Sequence, residues 1–162
     1  LYYPIAIPKE EDIDWEKAIR KSIRKACNDM LAPVPTVGVR GIRTVARAIK
    51  KWPTKVGIAK ANYYLAQMVR MQEEIGTGGG GFRYIYSAFL QEAGKKINNP
   101  KLLDLSKEMT AIGDLWRDFA VNASRVYKKR SNQEDVYNSL SEELLRIADL
   151  EEAFFKKLKA VV

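Results

Sequence analysis

The 162 residues predict an all-α fold of about six helices, the last two forming a long antiparallel hairpin. Three observations carry this. From Asp14 onward apolar residues recur every three or four positions, the period of a helix face rather than of a strand. The interruptions, "APVPTVG", "WP", "GTGGGG" and "NNP", are proline and glycine punctuation of the kind that ends helices. Strand-like alternation is confined to residues 1–7. With 46% hydrophobic and 30% charged residues the chain has the composition of one globular unit. Residues 14–162 read as a single helical domain. Residues 1–13, "LYYPIAIPKEEDI", read as a linker or the end of an upstream domain.

The first helix is expected over residues 15–31, with Asp12 or Asp14 as N-cap, Glu16 in the first turn and an inward stripe of Trp15, Ile19, Ile23, Ala26/Cys27 and Met30. The prolines of "APVPTVG" stop it. The second, over 39–51, buries Val39, Ile42, Val45/Ala46 and Ile49, and Trp52-Pro53 closes it. The third runs from 55 or 57 to 74, with Ile58, Tyr64/Leu65, Met68 and Met71/Gln72 facing in. The fourth opens at Phe82 and turns Phe82, Ile85/Tyr86, Phe89/Leu90, Ala93 and Ile97 to the core. In the last third, Leu102, Leu105, Met109, Ile112, Trp116, Phe119, Ala123 and Val126 keep a 3-4 spacing. Tyr137, Leu140, Leu144, Ile147, Glu151, Phe154, Leu158 and Val161 repeat it after the short "KKRS" connection, with a capping box from Ser131 to Glu134. Helices of nearly thirty residues, each roughly 43 Å long, joined by so short a turn fold back on one another. Glu151 is the polar intruder in the second stripe and is expected at its edge beside Leu150.

Composition narrows the chemistry. There is no histidine and only one cysteine, Cys27. A Ser-His-Asp or Cys-His arrangement, an internal disulfide and a thiolate zinc site are therefore excluded within these residues. No Glu-x-x-His pair marks a di-metal bundle. The expectation is no catalytic residue, no metal and no cofactor here, and a reducing cytoplasmic setting, with no apolar run long enough to span a bilayer.

Charge is unevenly spread. Residues 17–60 hold twelve basic residues against Asp29 alone, a net +11, so the remainder of the +8 chain is −3. Arg20, Lys21 and Arg24 on the first helix, and Arg40, Arg43, Arg47 and Lys50 on the second, lie opposite the apolar stripes. Such a field attracts an acidic protein, nucleic acid or acidic headgroups, and the plain alternative is the solvated outside of two amphipathic helices. Nucleic acid ranks last, because no helix-turn-helix spacing, zinc module or RNA-binding aromatic motif accompanies the charge.

Gly76, Gly78 and Gly81 match G-x-G-x-x-G literally, but a helix precedes them where a dinucleotide fold needs a strand. Two local readings remain: Gly78, Gly79, Gly80 and Gly81 with Arg83 as an anion-binding or pocket-lip element at a helix N-terminus, or a tight turn between packed helices. A lone arginine beside tyrosines, as Arg83 is, is more often a buried tether to a carboxylate such as Asp114 or Glu92 than a catalytic group.

The glycine turn followed by Phe82-Arg83, Tyr86, Phe89-Leu90, Glu92-Ala93 and then Trp116 resembles the C-terminal helical domain, of unknown function, of the butirosin biosynthesis protein H family. Met30-Leu31, Pro33, Gly38, Gly41-Ile42 and Trp52 extend the resemblance over most of the chain. The resemblance implies an N-terminal cysteine-peptidase-like acyltransferase domain upstream, one that moves an acyl chain from an acyl carrier protein onto an amine. It carries no catalytic residue into this chain, and Cys27 falls on an apolar helix face. The leading expectation is a non-catalytic accessory domain that supports that upstream domain and docks an acidic carrier protein on the basic face. The alternative is a stand-alone interaction module, a homodimer through the long hairpin.

Overall fold

A computed structural model describes residues 9–129 and 135–162. Seven α-helices occupy them: α1 Trp15–Met30, α2 Gly38–Ile49, α3 Trp52–Val56, α4 Ile58–Glu73, α5 Arg83–Lys96, α6 Pro100–Tyr127 and α7 Val136–Val161. No strand occurs among the described residues. The expected capping box at Ser131 and Glu134 and residues 1–8 of the expected linker lie outside them.

The long pair α6 and α7 forms the centre. Along α6, Glu108, Trp116 and Asn122 meet Lys157, Glu151 and Glu143 of α7 at 2.8, 2.6 and 3.0 Å. Numbers rise on one helix as they fall on the other, which is the antiparallel hairpin. Both stripes read from the sequence are buried as far as Ala123 and Leu158, with Phe119, Phe154 and Leu144 at 1% exposure or less. Each such side chain contributes about 1.5–3 kcal/mol of apolar burial. Around this pair, α4 and α5 cover α6, while α1 and α2 cover α7.

Local chemistry sets the helix ends. Asp14 caps α1, its carboxylate accepting from the Lys17 amide at 3.0 Å. Asn99 does the same for α6 through the Lys101 amide, with Pro100 at the first helical position. Trp52-Pro53 does not close α2: it opens the short α3, because a proline in a first turn gives up an amide that has no partner there anyway. Gly57, at φ 81°, then separates α3 from α4.

Several core assignments change. Ile58 and Met71 of α4 are 59% and 65% exposed, and Phe82 and Ile85 are 55% and 52% exposed. In α4 the expected Leu65 and Gln72 do turn inward, joined by Ala61 and Val69 in place of Ile58 and Met71. In α5 the left-handed backbone of Gly81 and Phe82 sets the helix phase, so that Ser87, Leu90 and Ala93 are buried. Trp15 is also 38% exposed, with the Lys96 ammonium 4.6 Å from its ring centre.

Candidate docking surface and the glycine arch

The glycine segment forms an arch between α4 and α5, closed by side chains from three helices. At its α4 end, Thr77 donates its hydroxyl to the Gln72 carbonyl at 2.5 Å and accepts from the Gly79 amide at 3.2 Å. Glu73 Oε1 accepts from the Gly80 amide at 3.0 Å and from Gln72 Nε2 at 3.0 Å, and Arg117 approaches its other oxygen at 3.6 Å. A carboxylate thus already sits on the arch, and it is the chain's own. Gly80 takes φ 55°, and a Cβ there would stand 3.0 Å from the Tyr84 ring and 3.2 Å from the Gly113 carbonyl. Only a glycine fits both constraints without a shift.

At the α5 end, Arg83 is bound to Glu151. Its Nε and Nη2 donate to the two carboxylate oxygens at 2.7 and 2.9 Å, and Nη1 donates to the Gly81 carbonyl at 2.6 Å. Trp116 Nε1 adds a third donor to the same carboxylate at 2.6 Å, and the guanidinium lies 4.7 Å from the Trp116 ring centre. Glu151 is fully buried, not at the edge of the stripe as its neighbour Leu150 suggested. A buried carboxylate survives only when paired and hydrogen-bonded, and the two-pronged fit of guanidinium to carboxylate supplies both. Arg83 is a tether, as its tyrosine-rich setting allowed, but the partner is Glu151. Asp114 instead accepts from Tyr84 at 2.8 Å, and Glu92 pairs with Lys95 at 2.7 Å. Burial first, and then that bond to Asp114, push the Tyr84 hydroxyl up to about 12. Of the expected site residues, Gly79, Gly80, Gly81 and Arg83 converge on the arch, while Gly78 lies exposed against Ile85.

The basic residues divide into two groups. Arg20 pairs with Glu16 at 2.8 Å, Arg24 donates to the Val162 backbone oxygen at 2.5 Å, and Arg40 donates to the Pro33 carbonyl at 3.3 Å. Arg43 is half-buried between Asp149 and Glu152 at 2.7 and 2.6 Å, and both carboxylates hold its guanidinium pKa above the ordinary value. It is therefore part of the α2–α7 packing more than of an open face. Lys21, Arg47 and Lys50 are exposed, and none has a carboxylate within 4 Å among the described residues. The hairpin's seam is spent on the core, so its large exposed apolar side chains are Val121 and Leu150.

A feature that periodicity did not isolate lies between α2 and α4. A groove of about 550 Å³ runs from Ile42 and Val45 on α2, past Trp52, to Tyr64, Met68 and Met71 on α4, and ends at Phe82 with Trp116 also lining it. Its signal in the sequence was Val45 and Met71, apolar residues offset from the most buried face of their helices. Phe82, at φ 70°, separates this groove from a smaller one of about 290 Å³ bounded by Met30, Tyr86, Met109 and Phe155. Cys27 is fully buried on α1, and desolvation pushes its thiol up to about 11, which suits an inert core residue. Among the described residues no cluster of His, Cys, Asp and Glu could hold a metal ion, and no helix is long and apolar enough to cross a membrane.

Fold and surface together define an all-helical domain with an apolar groove and an internally bonded glycine arch. The chain belongs to the family of the domain of unknown function DUF4872, whose model matches residues 1–158. No curated protein and no solved structure matches it.

Proposed function

We propose that this chain is a non-catalytic accessory domain that binds rather than reacts. In this reading it is the C-terminal part of a cytoplasmic protein like butirosin biosynthesis protein H. It supports an upstream cysteine-peptidase-like acyltransferase domain and docks an acidic carrier protein. The observation that carries the docking part is a set of exposed cations with no carboxylate within 4 Å among the described residues: Lys21 on α1, and Arg47 and Lys50 on α2 and the turn that follows it. A charge already neutralised within the fold adds little to a partner's attraction, whereas an unpaired exposed one steers association and weakens with salt.

The test is binding of an acidic acyl carrier protein to the chain carrying Arg47→Glu and Lys50→Glu. Affinity is expected to fall at least about tenfold, with a shallower salt dependence. Arg43 is left intact, because its reversal would disturb the α2–α7 packing as well. Unchanged affinity at low salt in the double reversal would remove the docking role.

A further inference from the structure

The groove between α2 and α4 has the layout of a helix-docking site, and its two walls say which kind of helix. Its lining is apolar and aromatic, and three of its side chains stand well out of the surface: Val45 at 37%, Met71 at 65% and Phe82 at 55% exposed. Scattered exposed apolar residues are ordinary, but a set gathered along one groove marks a recognition surface.

Beyond each wall the charge is positive. On α2, Arg40 and Arg47 are exposed on the outer side of the helix, a turn of more than about 90° around from Val45, and Lys51 is exposed just beyond the helix end. On α4, Lys60 and Arg70 are exposed on the side of Met71. Lys60 lies 5.9 Å from the Tyr64 ring centre, and Arg70 pairs loosely with the exposed Glu74, at 3.9 Å. The acidic residues nearest in sequence on these helices are Glu73 and Glu74 at the far end of α4, and Glu73 is turned to the glycine arch.

At the arch end of the groove Gln72 is 8% exposed. Its Nε2 donates to two acceptors, the Trp116 carbonyl and Glu73, which fixes the amide's orientation. Oε1 is then left with no donor among the described residues.

We propose that this groove takes an acidic amphipathic helix, its apolar stripe on Tyr64, Met68, Met71 and Phe82 and its carboxylates toward the flanking Arg and Lys. The i, i+3, i+4, i+7 stripe of such a helix fits a groove of this kind, and the two basic margins select its charge. The inference rests on the docking reading above for there being a partner at all, but it specifies a contact that the cations alone do not.

The probe is a synthetic amphipathic peptide with Leu and one Tyr on its apolar face and Glu on the other. Trp52 and Trp116 line the groove, so tryptophan emission reads occupancy. The peptide is expected to give a saturable emission change that weakens as salt is raised. Met71→Glu or Val45→Glu should weaken it at least tenfold with an unchanged thermal melt, since both side chains are exposed. The same peptide with Lys in place of Glu should bind at least tenfold less well. Failure of the Glu peptide to bind, equal binding of the Lys peptide, or indifference to both groove variants overturns the proposal. Carrier protein that still binds Met71→Glu but not the Arg47/Lys50 reversal also overturns it, while leaving the cationic docking surface in place.

Discussion

The α6–α7 hairpin and the glycine arch meet at Glu151 and Trp116, yet they are built on opposite principles. In the hairpin's apolar seam each contact is one of many alike: Leu105, Phe119, Leu140 and Leu144 are each buried by neighbours that the same spacing delivers. In the arch single atoms decide the geometry. One amide finds Glu73, one hydroxyl finds Gln72, and one guanidinium finds Glu151. A repeating apolar stripe tolerates local error because its driving force is non-directional. A buried polar network does not, because each lost partner leaves a desolvated group behind.

The largest test of that contrast sets Phe119→Ala against Glu151→Ala. Each is expected to destabilise the domain by roughly 3–5 kcal/mol, the first by leaving a cavity and the second by stranding Arg83. The two should differ in rescue. Combining Glu151→Leu with Arg83→Met should recover much of the loss from Glu151→Ala, as a double-mutant cycle by urea unfolding would measure, because both charges then leave together. No second substitution at a neighbouring apolar position is expected to restore Phe119→Ala. A cycle with no coupling between Arg83 and Glu151 would make the arch an ordinary surface loop.

Next in size is Gly80→Ala. The left-handed backbone and the Tyr84 and Gly113 contacts make about 1–3 kcal/mol of destabilisation the expected result. The loss should appear with the Glu73 bond intact, so hydrogen exchange at the Gly80 amide separates a strained arch from an opened one.

The smallest effect concerns pH. Burial, with Asp118 adding to it and the Asn122 bond opposing it, raises the Glu143 carboxyl above its ordinary range. The folded state therefore holds that proton more tightly than the unfolded chain does. Its contribution is favourable below the ordinary carboxylate pKa and is lost as pH rises through the folded value. Glu152 runs the other way: its bonds to Lys156 and Arg43 lower its pKa, so its contribution is present above the ordinary value and is lost in acid. Glu143→Gln should thus raise the melting temperature at neutral pH and leave it unchanged well below pH ~4, whereas Glu152→Gln should lower it at neutral pH only. Parallel shifts at both pH values would contradict the assignment.

The amino-acid sequence by itself determined the helices and the long hairpin, because the 3-4 recurrence of apolar residues is a local record of which face a helix buries. Asp14, Asn99 and the proline clusters fixed most of the ends by the same local logic. Trp52-Pro53 was ambiguous locally, since a proline ends one helix and begins another by the same missing amide. Only the tertiary structure decided the rest. Glu151 reads as an error in a stripe until Arg83, distant in sequence, arrives to neutralise it. Arg43 reads as an open cation until α7 brings Asp149 and Glu152 to it. Met71 and Val45 read as core until the gap between α2 and α4 leaves them lining a groove. Periodicity reports that a side chain is apolar and on a given side, but the space beside it is set by which helices approach, and that depends on contacts no local window contains.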